Sequence, residues 1–319
     1  MDKHLVAIVL PMYNEEESIP SLRSMFDGGI ALPEGCDHRI IAVNDGSGDR
    51  TLELVTRWAR ENRRVLAVSH VQNMGLGQAI LTGIGEAVRM RSDVVVTMDA
   101  DASHPGEVVC RLVKEVLNGA DIAIASRFAA GGSQVGVPLY RRALSAGARL
   151  ALRAAFPLEG VSDYTIGFRA YSARVSAKIV CEDWRFAKSR SFAATAEMLL
   201  GAAAHARRIA EVPVCLRYDL KKSRSKLRLA ATLLDYAKLF LRPGRIRAIN
   251  PEGGRSVLRC LILEFRRVLR EETGAGVIDY LVATAAIATA AYVCRNILVN
   301  SLKAAHNSMI NSVTNITGN

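Results

Sequence analysis

No Cys-x-x-Cys pair and no Cys/His cluster occurs in this chain, whose six cysteines (Cys36, Cys110, Cys181, Cys215, Cys260 and Cys294) stand far apart. That spacing excludes a zinc ribbon and a thioredoxin-like redox pair, and leaves the cysteines as small core residues of a reducing compartment. G-x-G-x-x-G spacing and a Gly-Lys-Ser/Thr loop are also missing. The glycine-rich stretch Asn73–Ala79 is therefore neither a Rossmann dinucleotide turn nor a P-loop. Ahead of Pro11 there are only six consecutive apolar residues, Leu5–Leu10, too few for the core of a secretory signal, so none is expected. There is no internal repeat. Aromatics make up 6% of the chain and do not alternate with its basic residues, which argues against a nucleic-acid reader.

What is present is apolar and locally basic. Half of the 319 residues are apolar, enough for a sizeable α/β core. The net charge is +11, and residues 207–270 hold 17 Lys and Arg against 5 Asp and Glu, so the rest of the chain is close to neutral. A basic block this localised points to a polyanionic partner such as a membrane surface or a phosphorylated substrate, or else to a solvated basic face.

Nearly continuous apolar runs at Leu5–Leu10, Arg39–Val43, Val65–Ser69, Val94–Met98 and Asp121–Ala125 read as strands covered on both faces. Helical patterns lie between them at Ser18–Phe26, Arg50–Asn62, Gly77–Met90 and Pro105–Leu117, with Ser103 as a cap for the last. This alternation predicts a mostly parallel, doubly wound α/β domain. Further helices are expected over 128–160, apart from a Gly131–Gly132 loop, and over 192–206; Arg208–Leu216 reads as a late strand.

The polar clusters fall just after the apolar runs. In open α/β sheets that is where ligands bind. Asp99-Ala100-Asp101 follows Val94–Met98, and two carboxylates at i and i+2 on a strand end can hold Mg²⁺ or Mn²⁺, with substrate phosphates and water completing the shell. Pro11, Tyr13, Asn14 and Glu15 end the first run, and Asn44-Asp45-Gly46-Ser47 ends the second, where Asp45 can accept from a base or ribose.

In order and spacing these motifs, with Asn73–Ala79, Ser126-Arg127-Phe128, Arg141 with Ser145, Asp163 with Gly167-Phe168-Arg169, Glu197, Glu211-Val212-Pro213 and Ser225-Lys226-Leu227, resemble the family-2 glycosyltransferases of GT-A fold, notably the polyprenyl-phosphate sugar synthases. The resemblance runs from about Val6 to Leu241. It implies that Pro11, Tyr13, Asn14, Glu15, Asp45 and Ala100 serve the nucleotide-sugar, and that Asp99 and Asp101 serve metal and diphosphate. Arg127, Arg141 and Ser145 would grip an acceptor phosphate, and Lys222 or Arg224 would belong to a basic loop closing over the donor. Three departures stand out: Ser103 replaces a frequent Gln ligand, Asn44 a frequent Asp, and Ser223 the usual Gly of the basic loop.

A phosphate monoester, dianionic at neutral pH, needs cationic positioning rather than a base, whereas a hydroxyl acceptor needs a carboxylate, for which Asp163 and Glu197 are candidates. The resemblance thus implies inverting, metal-dependent transfer of a hexose from a GDP- or UDP-sugar to a dolichyl or undecaprenyl phosphate, with no nucleic acid involved. The alternatives are a glycan or protein hydroxyl acceptor, or a catalytically silent membrane- or pilus-associated protein. The expected organisation is a catalytic domain over 1–224, basic amphipathic helices at the membrane interface over 225–272, and a tail over 273–319. Basic residues upstream of the tail favour a cell-membrane protein with a cytoplasmic catalytic domain. Ala275 to Cys294 is 20 residues with one acid, Asp279, long enough for one transmembrane helix. From Gly274 onward the tail also resembles a Flp-type pilin, in which a Gly precedes the cleavage point and an acid and Tyr follow, as Asp279 and Tyr280 do here.

Overall fold

A computed structural model describes residues 3–182 and 191–220, together with the helical residues Thr232, Asp235, Tyr236 and Leu239. The expected strands are β1 (His4–Met12), β2 (Cys36–Asn44), β3 (Val65–Ser69), β4 (Val94–Thr97) and β5 (Ile122–Ser126). The helices between them are α1 (Ile19–Asp27), α2 (Thr51–Glu61), α3 (Leu76–Arg89) and α4 (Glu107–Leu117). Beyond β5 follow β6 (Ser133–Val135), α5 (Leu139–Ala155), β7 (Arg169–Ser172), α6 (Ala173–Cys181), α7 (Ala193–Ala203), β8 (Ile209–Pro213) and β9 (Cys215–Arg217).

Seven strands form one sheet in the order β3-β2-β1-β4-β7-β5-β8, parallel except for β7, which runs antiparallel to both neighbours. β1 pairs with β2 along its whole length, Ile8 facing Ile40 and Met12 facing Asn44. Val6 to Leu10, Ile40 to Val43 and Val94 to Val96 have no solvent exposure, because helices cover both faces of the sheet. Burial of each Val, Leu or Ile side chain among them contributes about 1.5–3 kcal/mol. α3 packs closely on β1 because Gly83 has no side chain: a Cβ there would lie 2.2 Å from Val9 Cγ1.

Three expectations need correction, and two elements were not expected. Residues 128–160 are not helical throughout; Gly136 (φ 73°) and Pro138 delay α5 until Leu139, and β6 precedes it, paired in parallel with β9 about 80 residues later. Ser103 does not cap α4, which starts at Glu107 behind Gly106; the Ser103 hydroxyl donates to Asp101 instead. Arg208–Leu216 is two strands rather than one, since Pro213 ends β8 and the Val214 N–H donates to the Ser126 carbonyl. β7 and α6 had no counterpart in the sequence reading: β7 is four residues long and begins with a charged Arg169. Lys222, Arg224, the basic helices over 225–272 and the tail, with its span and pilin-like segment, lie outside the described residues apart from the four helical positions above. Among the described residues no helix is long and apolar enough to cross a membrane.

Candidate active site

The carboxyl ends of β1, β2, β4 and β5 open onto one cavity of about 790 Å³. The loops after β1 and β2 are tied to each other. The Asn14 N–H donates to Ser47 Oγ (2.9 Å), the Gly48 N–H to Asn14 Oδ1 (2.9 Å), and the Glu15 N–H to Thr51 Oγ1 (2.8 Å). Asn14 tolerates the positive φ of 51° that this turn needs. Its side chain therefore braces the turn, and it is not among the cavity residues, unlike Pro11, Tyr13, Glu15 and Asp45. Tyr13 is 38% exposed, an aromatic face at the rim.

Asp45 is buried, and its carboxylate orders the loop before α3. Oδ1 accepts from the Met74 N–H (2.8 Å) and from His70 Nδ1 (2.7 Å), and Oδ2 accepts from the Gly75 N–H (2.8 Å). Nε2 of His70 meets Thr82 Oγ1 on α3 at 2.9 Å. Gly46 (φ 62°) lets the β2 loop touch the same segment; a Cβ there would be 2.3 Å from the Gln72 carbonyl carbon.

After β4, Asp99 and Asp101 both line the cavity, with Ala100 between them. Asp101 Oδ1 accepts from the Ser103 hydroxyl (2.6 Å) and N–H (3.1 Å). The Asp99 N–H donates to His104 Nδ1 (3.1 Å), which leaves the ring proton on Nε2, 3.9 Å from Asp99 Oδ2. His104 is buried and stacked on Phe168 at 4.7 Å. Opposite Asp99 is Gly167, where a Cβ would lie 3.3 Å from Asp99 Oδ1. Among the described residues, no group of three or more His, Cys, Asp or Glu converges on one point. Two carboxylates beside an open cavity suit a hard cation that takes its other ligands from a diphosphate and water.

The third wall is cationic. Arg127 donates through Nε to Asp163 Oδ2 and through Nη2 to Asp163 Oδ1, both at 2.8 Å, and through Nη2 to Thr165 Oγ1 at 2.7 Å. Burial pushes the Asp163 carboxyl up, but the charge and hydrogen bonds of Arg127 outweigh it and hold the group below the usual carboxylate range. Arg141 stacks its guanidinium on Tyr218 at 5.2 Å, and Ser145 Oγ is 3.3 Å from Thr165 Oγ1; both residues line the cavity. Tyr236 closes this side, and its burial, which outweighs the opposing pull of the Arg127 charge, pushes the phenol up to about 12.

Neither base candidate is placed as one. Asp163 has no exposed surface and accepts from Arg127 and from the N–H groups of Thr165 and Ile166. Glu197 is half-buried on α7 and is not among the cavity residues. Sequence reading overlooked His70, His104 and Thr165. The run Asp-Ala-Asp-Ala-Ser-His carried a signal for His104, but His70 and Thr165 acquire partners only through tertiary packing. It named Arg169 within a motif without a role; the side chain is buried, donating to the Thr195 carbonyl (2.5 Å) and the Tyr164 carbonyl (2.9 Å) beneath the cavity floor.

Residues 7–180 match the family model described as glycosyl transferase family 2. Among curated proteins, the chain is 36% identical over 171 residues to a dolichol-phosphate mannosyltransferase of Pyrococcus furiosus, covering 53% of this chain and 47% of that one. It is 36% identical over 173 residues to a polyprenol monophosphomannose synthase of Mycolicibacterium smegmatis, covering 54% and 63%. The chain thus spans about half to two thirds of the length of these relatives. Among solved structures, glucosyl-3-phosphoglycerate synthase from Mycobacterium tuberculosis, in complex with Mn²⁺, UDP-glucose and phosphoglyceric acid, aligns with a TM-score of 0.54 at 21% identity, covering 76% of this chain and 80% of that one. TarS of S. aureus, in complex with UDP-GlcNAc, aligns at 0.55 and 14% identity, covering 91% and 81%. At these identities the structural matches establish the fold, which is GT-A-like.

Proposed function

The chain belongs to glycosyl transferase family 2, and from that premise we propose that it transfers a hexose from a nucleoside-diphosphate sugar to a polyprenyl phosphate. The observation that carries the reading is the division of one cavity. The cavity is lined by Pro11, Tyr13 and Asp45, read as the nucleoside wall, by Asp99 and Asp101, read as the diphosphate and metal site, and by Arg127, Arg141 and Ser145, read as the acceptor wall. Curated relatives named dolichol-phosphate mannosyltransferase, polyprenol monophosphomannose synthase and undecaprenyl-phosphate mannosyltransferase support the acceptor class.

On this reading a Mg²⁺ or Mn²⁺ held by Asp99 and Asp101 supplies neutralisation of the departing diphosphate. The protein's own groups do the rest. Tyr13 and Asp45 fix the nucleoside. Arg141, with its face already stacked on Tyr218, presents N–H groups to the acceptor phosphate, and the Ser145 hydroxyl adds another donor. Arg127 contributes positive potential while Asp163 holds its orientation. A phosphate oxygen attacks the anomeric carbon without a base, from the face opposite the leaving diphosphate, so configuration inverts. Of the two candidate bases, Asp163 is committed to Arg127 and Glu197 does not line the cavity, which favours phosphate over a glycan or protein hydroxyl. A lipid acceptor and the basic block over 207–270 together support a site of action at the cytoplasmic face of the cell membrane.

The test is transfer by the full chain, in membranes, from radiolabelled UDP- and GDP-sugars. Label entering the organic phase, lost with EDTA and with Asp101→Ala, is the expected result. Donor hydrolysis with no label in lipid, but label in a glycan or protein, would overturn the acceptor assignment.

A further inference from the structure

The nucleoside wall contains a carboxylate whose bonding capacity can be counted. A carboxylate offers about four lone-pair positions, two on each oxygen. In Asp45 three are filled: Oδ1 accepts from His70 Nδ1 and the Met74 N–H, and Oδ2 accepts from the Gly75 N–H, all within 2.8 Å. Asp45 is 2% exposed, yet it lines the cavity beside Pro11 and Asn73. One position on Oδ2 remains for a ligand.

We propose that His70 is a specificity-determining positioning residue: by filling a position on Asp45 Oδ1 it leaves the carboxylate able to take one base N–H, which selects uracil and makes the donor a UDP-sugar. The inference rests on the nucleotide-sugar reading above and deepens it.

Uracil presents a single N–H, at N3, between two carbonyls. Guanine presents N1–H and an N2 amino group side by side, and a carboxylate pairs with these through both oxygens; with Oδ1 full, that bidentate arrangement is closed. Cytosine and adenine can offer an exocyclic amino N–H, but the unprotonated ring nitrogen beside it then turns its lone pair toward the carboxylate, which repels it. His70 is fixed for this task. Its side chain is 9% exposed, and Thr82 Oγ1 holds Nε2 at 2.9 Å, so the ring cannot swing away from Asp45 without losing both bonds. The backbone donors of Met74 and Gly75 are fixed by the turn into α3. Asp45 therefore meets the base in one orientation.

Equilibrium binding of UDP, CDP and GDP to the full chain, at constant Mn²⁺, tests this directly. UDP and CDP share ribose and diphosphate and differ only at the edge of the base. Wild type is expected to bind UDP roughly ten- to a hundredfold more tightly than CDP or GDP, the range set by one unmatched buried hydrogen-bonding group. His70→Leu frees a position on Asp45 Oδ1 and should shrink the ratio of UDP to GDP affinity to about threefold or less while leaving the ratio of UDP to CDP affinity unchanged, whereas His70→Asn keeps an N–H near the position of Nδ1 and should restore the preference over GDP. If His70→Leu weakens all three nucleotides equally, or wild type prefers GDP or binds CDP as well as UDP, the proposal is overturned while the nucleotide-sugar reading survives. Failure of all three nucleotides to bind overturns both.

Discussion

Arg127 and Asp163 meet in a two-pronged ion pair, Nε to Oδ2 and Nη2 to Oδ1, each at 2.8 Å, with Asp163 fully shielded from solvent. The pair joins the loop after β5 to the segment leading into β7. Asp163→Ala leaves the guanidinium buried without its partner, and the expected loss of stability is about 3–5 kcal/mol, measured by urea unfolding.

The same pair sets an acid limit. Because Arg127 holds the folded-state pKa of Asp163 below its unfolded value, the stabilisation is fully present above about pH 4 and is lost as pH falls through the lower, folded-state value. Urea midpoints measured from pH 6 down to pH 2 should fall in wild type below about pH 4. In Asp163→Ala this component of the fall should be missing.

Gly46→Ala strikes the nucleoside wall from behind. The new methyl would sit 2.3 Å from the Gln72 carbonyl carbon on a backbone with φ of 62°. A positive φ at a non-glycine residue costs about 1–3 kcal/mol on its own, and the close contact also displaces the Met74 and Gly75 donors from Asp45. UDP and GDP affinity should both fall by at least about tenfold, read by calorimetric titration.

Gly167→Ala places a methyl 3.3 Å from Asp99 Oδ1 and 3.4 Å from Thr195 Cγ2. The carboxylate must shift by a few tenths of an ångström. Mn²⁺ affinity, followed by electron paramagnetic resonance, should drop several-fold, on the order of 1 kcal/mol, while the melting temperature moves little.

Arg141→Ala separates the two walls. Transfer to lipid phosphate should fall by roughly a hundredfold or more, with the Kd for the donor nucleotide unchanged. Equal loss of donor binding would sink the role of Arg141 at the acceptor.

Strands β1 to β5 and helices α1 to α4 were legible because each is a local pattern: an apolar run of four to nine residues, then an amphipathic helix. Asp45, Asp99 and Asp101 were legible for the same reason, since each directly follows such a run. β6 and β7 were not, and β9 was merged with β8, because these strands of three or four residues, unlike the valine run of β4, carry polar or charged residues that hide the pattern, and what stabilises them is a partner distant in the chain. Asp163 illustrates the limit within the site. A sequence shows a carboxylate and allows a base; only the fold shows that its oxygens are committed to Arg127 and to the backbone of its own turn.

The antiparallel strand β7 also bears on the order in which the chain assembles. β1 and β2 each pair with the next strand in the chain, His4 with Cys36 and Ile40 with Val65, so these pairings close short loops. β4 and β5 never touch directly; β7 lies between them, and its partners Val94 to Thr97 are about 75 residues earlier. Closing that long loop is slow. The nucleoside half can thus form on the ribosome while the acceptor half waits for residue 172 to emerge. Pulsed hydrogen exchange during refolding should find β1 and β2 amides protected before those of β5 and β8, so the two walls of one cavity would have separate folding histories.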